Sequence, residues 1–202
     1  MKKLKFNYEI VILLILPIII FFFKNPLVSW LEGDFENIYF IYNTLLTANY
    51  ITPSVIDYPG NSSFSINSFF LKLVSFFDKS IIIDLKDITL SSDPVANFNK
   101  IYKYLKFLQL FYSLIAFICF YKIIIYFNAD SKISLCISLL LLISNQYLDN
   151  IQRYRFDFES VTFYFISTFF LLYGSNYKKK ILPFCISGFF LCMSLFSKII
   201  TL

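Results

Sequence analysis

Two carboxylates, Asp34 and Glu36, open a long polar segment directly after the first apolar run, in the stretch Gly33-Asp34-Phe35-Glu36. Far downstream, Gln152-Arg153-Tyr154-Arg155-Phe156-Asp157-Phe158-Glu159 holds two arginines and two further acids. The chain has no histidine, so any proton transfer near neutral pH falls to Asp or Glu. Two guanidiniums can fork onto a phosphate, a task for which Arg is better shaped than Lys. Each cluster has a plainer reading as well. Asp34 is a good helix cap and Glu36 a favourable first-turn acid, and the arginines can form an internal network with Asp157 and Glu159. Two acids two residues apart do not share a face of a regular helix, but at a loop-to-helix junction both can face one cavity.

These residues must be positioned in a bilayer. Of the 202 residues, 58% are apolar, 21% aromatic and only 15% charged, with a mean hydropathy of +0.68. A soluble domain of this size could not hide that much apolar surface, so the composition predicts an all-α integral membrane protein. The net charge of +5 does not point to nucleic acid, because the lysines cluster at the ends of apolar runs, where cytoplasmic loops carry them. Cys119, Cys136, Cys185 and Cys192 all fall inside apolar segments without paired spacing and read as small buried hydrophobes.

Five crossings are expected. Ile10 to Phe23 follows three lysines and lacks a small-residue cleavage site, so it reads as a retained first span, with Pro17 tolerated inside it. The others cover Leu105 to Phe127, Ile133 to Leu148, Val161 to Tyr173 and Ile181 to Phe196. With the lysine-rich ends inside, the N-terminus is cytoplasmic. Counting crossings then sends residues 24–103 and the link Asn145 to Glu159 to the same, outer face. That parity is what brings the two polar clusters together.

The large outer loop carries helix signals of its own. After Asp34, the residues Ile38, Ile41, Tyr42 and Leu45 recur at helical spacing and predict a helix lying along the membrane surface. Asp57-Tyr58-Pro59-Gly60 is a turn sequence. Ser62 or Ser63 then opens a second amphipathic stretch through Phe64, Phe69, Phe70, Leu73 and Phe77. Asp93-Pro94 marks a third helix start, with Asp as cap and Pro in the first turn.

A first span, an acid pair opening an outer loop, and Tyr58-Pro59-Gly60 leading into an apolar helix together resemble the start of GT-C membrane glycosyltransferases. The nearest subgroup is the protein mannosyltransferase and aminoarabinose transferase type, which uses polyprenyl-phosphate sugars. Arg153-Tyr154 followed by Asp157 is similar to that family's Arg-Tyr and downstream Asp, though with a shorter gap, and Ser197-Lys198-Ile199-Ile200-Thr201 is similar to a Lys-containing segment of the group. The resemblance implies that the chain transfers a sugar from a polyprenyl-phosphate donor to an acceptor hydroxyl on the extracytoplasmic side. Asp34 would be the general base, Glu36 would position the acceptor, and Arg153 or Arg155 would stabilise the departing phosphate. Tyr58, Asp157 and Glu159 fall with the arginines in the substrate-binding set; Lys198 either joins them or snorkels to the interface, the reading favoured here. Asp34, Glu36, Asp157 and Glu159 are also hard oxygen ligands suited to a divalent cation, Mg2+ or Mn2+, whose involvement is open.

The family's members are longer, so the expectation is an N-terminal module alone, whether truncated, a fragment or one half of a split enzyme that needs a partner. The competing readings are a transporter and a non-catalytic assembly subunit. Transporters place ionisable groups near the bilayer midplane, and the expected span centres carry almost none. The expected setting is the plasma membrane of a bacterium.

Overall fold

A computed structural model of the protein describes residues 8–23, 35–53, 61–127, 130–145, 147–148, 157–175 and 181–197. Among these every regular element is a helix, in line with the predicted all-α class. The elements are α1 (Tyr8–Phe23), α2 (Phe35–Ala48), α3 (Asn61–Phe77), α4 (Leu85–Leu90), α5 (Pro94–Phe127), α6 (Ser131–Leu142), α7 (Asp157–Ser175) and α8 (Ile181–Ser197).

α5 is the post on which the rest is built. It begins as its sequence dictates: Asp93 accepts the backbone N–H of Ala96 at 2.9 Å and Pro94 takes the first helical position. Its 34 residues rise about 50 Å at ~1.5 Å per residue, more than the ~30 Å of a hydrocarbon core. It is the one helix among the described residues that is long and apolar enough to cross a membrane. The excess length at its N-terminal end carries a helical cap. Phe40, Ile41 and Leu45 of α2, Phe64 and Leu71 of α3, and Ile88 of α4 close a buried cluster around Ile101, Tyr102 and Leu105 of α5.

The cap is pinned by amides as well as by apolar burial. Asn97 of α5 meets the backbone of Ile82 twice, accepting its N–H at 2.9 Å and donating to its carbonyl at 2.8 Å. Asn49 donates to the carbonyl of Ile83 at 2.9 Å. An irregular strand of backbone between α3 and α4 thereby finds the partners that burial demands.

The remaining helices surround the lower part of α5. Phe21 of α1, Leu142 of α6 and Tyr147 pack on Phe117, while Phe163 and Ile166 of α7 pack on Leu108 and Tyr112. α7 and α8 form the most extensive pairing, and small residues explain it. Ser160 meets Ser194, Ser167 meets Ser187, and Gly174 lies against Pro183. The α7 positions recur every seven residues, which keeps them on one seam and lets the two backbones approach closely.

These contacts fix the directions. α7 and α8 are antiparallel. α5 and α7 run the same way, since Thr162 bonds the carbonyl of Tyr112 at 3.4 Å and Tyr126 bonds Ser175 at 3.1 Å. The end of α1 meets the early part of α5 through Phe21 and Phe107. The cap, the end of α6 and the first turn of α7 therefore share one end of the bundle.

Three expectations need adjustment. α6 stops at Leu142 with a turn at Ile143, short of the expected Leu148, and its 12 residues rise only about 18 Å. The cysteines are not buried: Cys119 is half-buried, and Cys136, Cys185 and Cys192 are exposed on the outside of the bundle. The single apolar stripe expected of α3 divides in two. Phe64 and Leu71 face the core with Ser63, Asn67 and Ser68, whereas Phe69, Leu73, Phe76 and Phe77 face outward. α2 behaves similarly at one position, with Ile41 and Leu45 buried and Tyr42 exposed.

Candidate functional site

Of the residues singled out in the sequence, Asp34, Tyr58, Arg153, Arg155 and Lys198 lie outside the described residues, and so do the side chains of Glu36 and Asp157. The backbones of the last two are placed: Glu36 is the second residue of α2 and Asp157 the first of α7. Glu159 is described in full, and it carries the geometry of the site.

Glu159 sits in the first turn of α7, where the helix N-terminus favours negative charge. Its side chain is only 1% exposed. Nδ2 of Asn67, on α3, donates to its Oε1 at 3.0 Å, and the hydroxyl of Ser63, one turn earlier on the same face of α3, also reaches the carboxylate. Its other oxygen, Oε2, has no hydrogen-bond partner among the described residues. A carboxylate so deeply buried is costly unless a donor or cation comes to it, so Oε2 calls for a polar or basic partner beyond the described residues.

A seam of hydroxyls closes around this acid. Ser62 bonds Ser197 at 2.7 Å and the carbonyl of Met193 at 3.2 Å, and Ser63 donates to Ser197 at 3.2 Å. Ser160, next to Glu159, donates to the carbonyl of Ser194 at 3.0 Å, and Ser194 returns a bond to the carbonyl of Ser160 at 2.9 Å. Thus α3, from the loop after the acid pair, is stitched to the start of α7 and the end of α8. α3 also packs broadly on α2, so it is the element that joins α2 to the start of α7 and the end of α8.

Sequence reasoning missed Asn67, and the signal was present. Ser63 and Asn67 are four residues apart on an otherwise apolar helix, which marks a polar inner face. It also missed Lys106. That residue is fully buried in α5, donates to Oε1 of Gln109 at 2.9 Å and lies 6.0 Å from the ring of Tyr102. An ionisable residue at the edge of an apolar run is a functional signal by itself.

Of the four expected cation ligands, only Glu159 has its side chain among the described residues. Among the described residues no group of three or more His, Cys, Asp or Glu could hold a metal ion. Comparison with known proteins yields no match: no family model, no curated protein and no solved structure aligns significantly with the chain.

Proposed function

We propose that the protein is a membrane glycosyltransferase of the GT-C type, or part of one, moving a sugar from a polyprenyl-phosphate donor to an acceptor hydroxyl at the non-cytoplasmic face. In this reading α1, α5, the segment from α6 through Leu148, α7 and α8 cross the plasma membrane of a bacterium, the N-terminus is cytoplasmic, and the α2–α4 cap stands outside. The observation that carries it is the contact of Asn67 with Glu159. It ties the loop that follows Asp34 and Glu36 to the helix that follows Arg153 and Arg155, as one shared pocket requires.

The chemistry follows from the residue types. Asp34 takes the proton of the acceptor hydroxyl as its oxygen bonds to the anomeric carbon. The bond from that carbon to the phosphate oxygen breaks, and the electron pair leaves with the lipid phosphate. Arg153 or Arg155 stabilises the charge that develops there. Glu36 positions the acceptor, while Glu159, held by Asn67, keeps the arginines oriented through its open oxygen. Tyr58 and Asp157 complete the substrate-binding set, with Lys198 beside it.

The test is sugar transfer in membrane vesicles from a radiolabelled polyprenyl-phosphate hexose or pentose. Asp34→Asn should abolish transfer while leaving membrane insertion and expression intact. Transfer that survives Asp34→Asn defeats the proposal. So does labelling that puts Asp34 and Arg153 on opposite faces of the bilayer.

A further inference from the structure

On the face of α3 opposite Asn67, a cavity of about 820 Å³ opens between α3 and the end of α2. Its walls differ in chemistry. Along α3 the lining alternates polar groups, Ser65 among the hydroxyls and the ammonium of Lys72, with the apolar Phe69, Leu73, Phe76 and Phe77. Among the described residues lining it, Lys72 is the one that is charged.

The geometry at Lys72 is specific. Its ammonium lies 3.8 Å from the ring centre of Tyr50, close enough for a favourable cation–π contact. Tyr50 is 92% exposed and holds φ at 59°, a left-handed conformation that costs a non-glycine residue about 1 kcal/mol or more. It occupies the position just past α2 where helices commonly place glycine. The termination bonds form regardless, from the N–H of Ile51 to the carbonyl of Leu46 at 2.9 Å and from that of Tyr50 to Thr47 at 3.1 Å. Helix ending alone does not call for a tyrosine there, whereas holding a cation at the mouth of the cavity does.

The apolar lining is as unusual as the cation. Phe69, Phe76 and Phe77 are each more than two-thirds exposed, and a second lysine, Lys79, stands 5.1 Å from the ring of Phe76. A surface helix with adjacent exposed aromatics and flanking lysines matches the layer where headgroups meet acyl chains. Positive charge there draws the anionic phosphates of the leaflet.

We infer that this cavity is a binding site for an anionic phospholipid of the surrounding bilayer, its phosphate on Lys72 and the neighbouring hydroxyls and an acyl chain along Phe69, Leu73 and Phe76. The site is independent of the transferase reading, since it uses the outer face of α3 and none of the residues placed in the sugar-transfer pocket. Bound lipid would fix the depth and rotation of α3, whose inner face holds Glu159.

The experiment is displacement of a fluorescent phosphatidylglycerol from the purified full chain in detergent micelles. Phosphatidylglycerol should compete about tenfold better than phosphatidylcholine, whose choline cation offsets the phosphate charge and is repelled by Lys72. Lys72→Gln should abolish that preference, with Lys86→Gln, on the exposed α4, as the unaffected control. Ser65→Asp, at an exposed wall position, should repel the phosphate and weaken binding even if Lys72→Gln does not fold. Equal competition by the two phospholipids, or full binding by Ser65→Asp, overturns the inference. Stronger displacement by a polyprenyl monophosphate than by phosphatidylglycerol also overturns it, because the occupant would then be a prenyl lipid.

Discussion

Asn67 and Glu159 are 92 residues apart in the chain, yet the amide of one donates to the carboxylate of the other at 3.0 Å. That contact joins the inner face of α3 to the first turn of α7 and satisfies one oxygen of a buried carboxylate. Asn67→Leu removes the amide donor and leaves a buried carboxylate less satisfied, a change that should cost about 1–3 kcal/mol. Thermal unfolding in detergent measures it. Asn67→Asp should be worse than Leu, because it sets two carboxylates against each other at the same site.

The α7–α8 seam depends on small side chains. A Cβ at Gly174 would lie 3.0 Å from Cβ of Pro183, so Gly174→Leu must push the two helices apart. The expected loss is about 1–3 kcal/mol from overpacking, read as a lowered melting temperature. Ser167→Ala keeps the volume and should change stability by less than half as much.

Asn97 acts as a backbone surrogate for the segment before α4, meeting both polar groups of Ile82. Asn97→Ala should destabilise the cap by roughly 2 kcal/mol. Hydrogen exchange gives the local signature: the Ile82 amide should exchange much faster in the variant, with amides of α7 and α8 unaffected.

Asp78 ends α3 and accepts from the hydroxyl of Ser80 at 2.6 Å, from its backbone N–H at 3.0 Å and from the phenol of Tyr104 at 2.9 Å. The Ser80 hydroxyl first, then its N–H and then Tyr104, hold the carboxyl below its ordinary value of 3.8. A carboxyl with a depressed folded-state pKa contributes stability that is present above that ordinary value and is lost as pH falls through the folded value. Melting temperature should therefore drop below pH 3.8 more steeply in the native protein than in Asp78→Asn. Parallel curves would refute the assignment.

Cys136 and Cys192 face outward from the middle of α6 and α8. If those helices cross a bilayer, a charged maleimide should not reach either thiol in intact vesicles but should modify both after solubilisation in SDS. Labelling in sealed vesicles would remove α6 and α8 from the set of crossings.

Much of the architecture was legible in the residues because it is set by local terms. The apolar runs named the helical segments, and Asp93-Pro94 marked the start of α5 to the residue. These follow from hydropathy and capping chemistry, which need no knowledge of neighbours.

What only the tertiary structure decided is which face of each helix turns inward. The sequence offered α3 as one aromatic stripe, yet the folded chain buries Ser63 and Asn67 beside Phe64 and Leu71, and turns Phe69 and Phe76 outward. In water the larger rings would claim the core. Here the buried polar groups of α7 and α8 need partners, and an unsatisfied carboxylate or hydroxyl away from water costs more than an exposed ring at an apolar boundary gains by burial. The same reason hid the role of Asn67 and the outward set of the cysteines: both depend on what a helix packs against, and residues 92 apart in the chain do not announce that they touch.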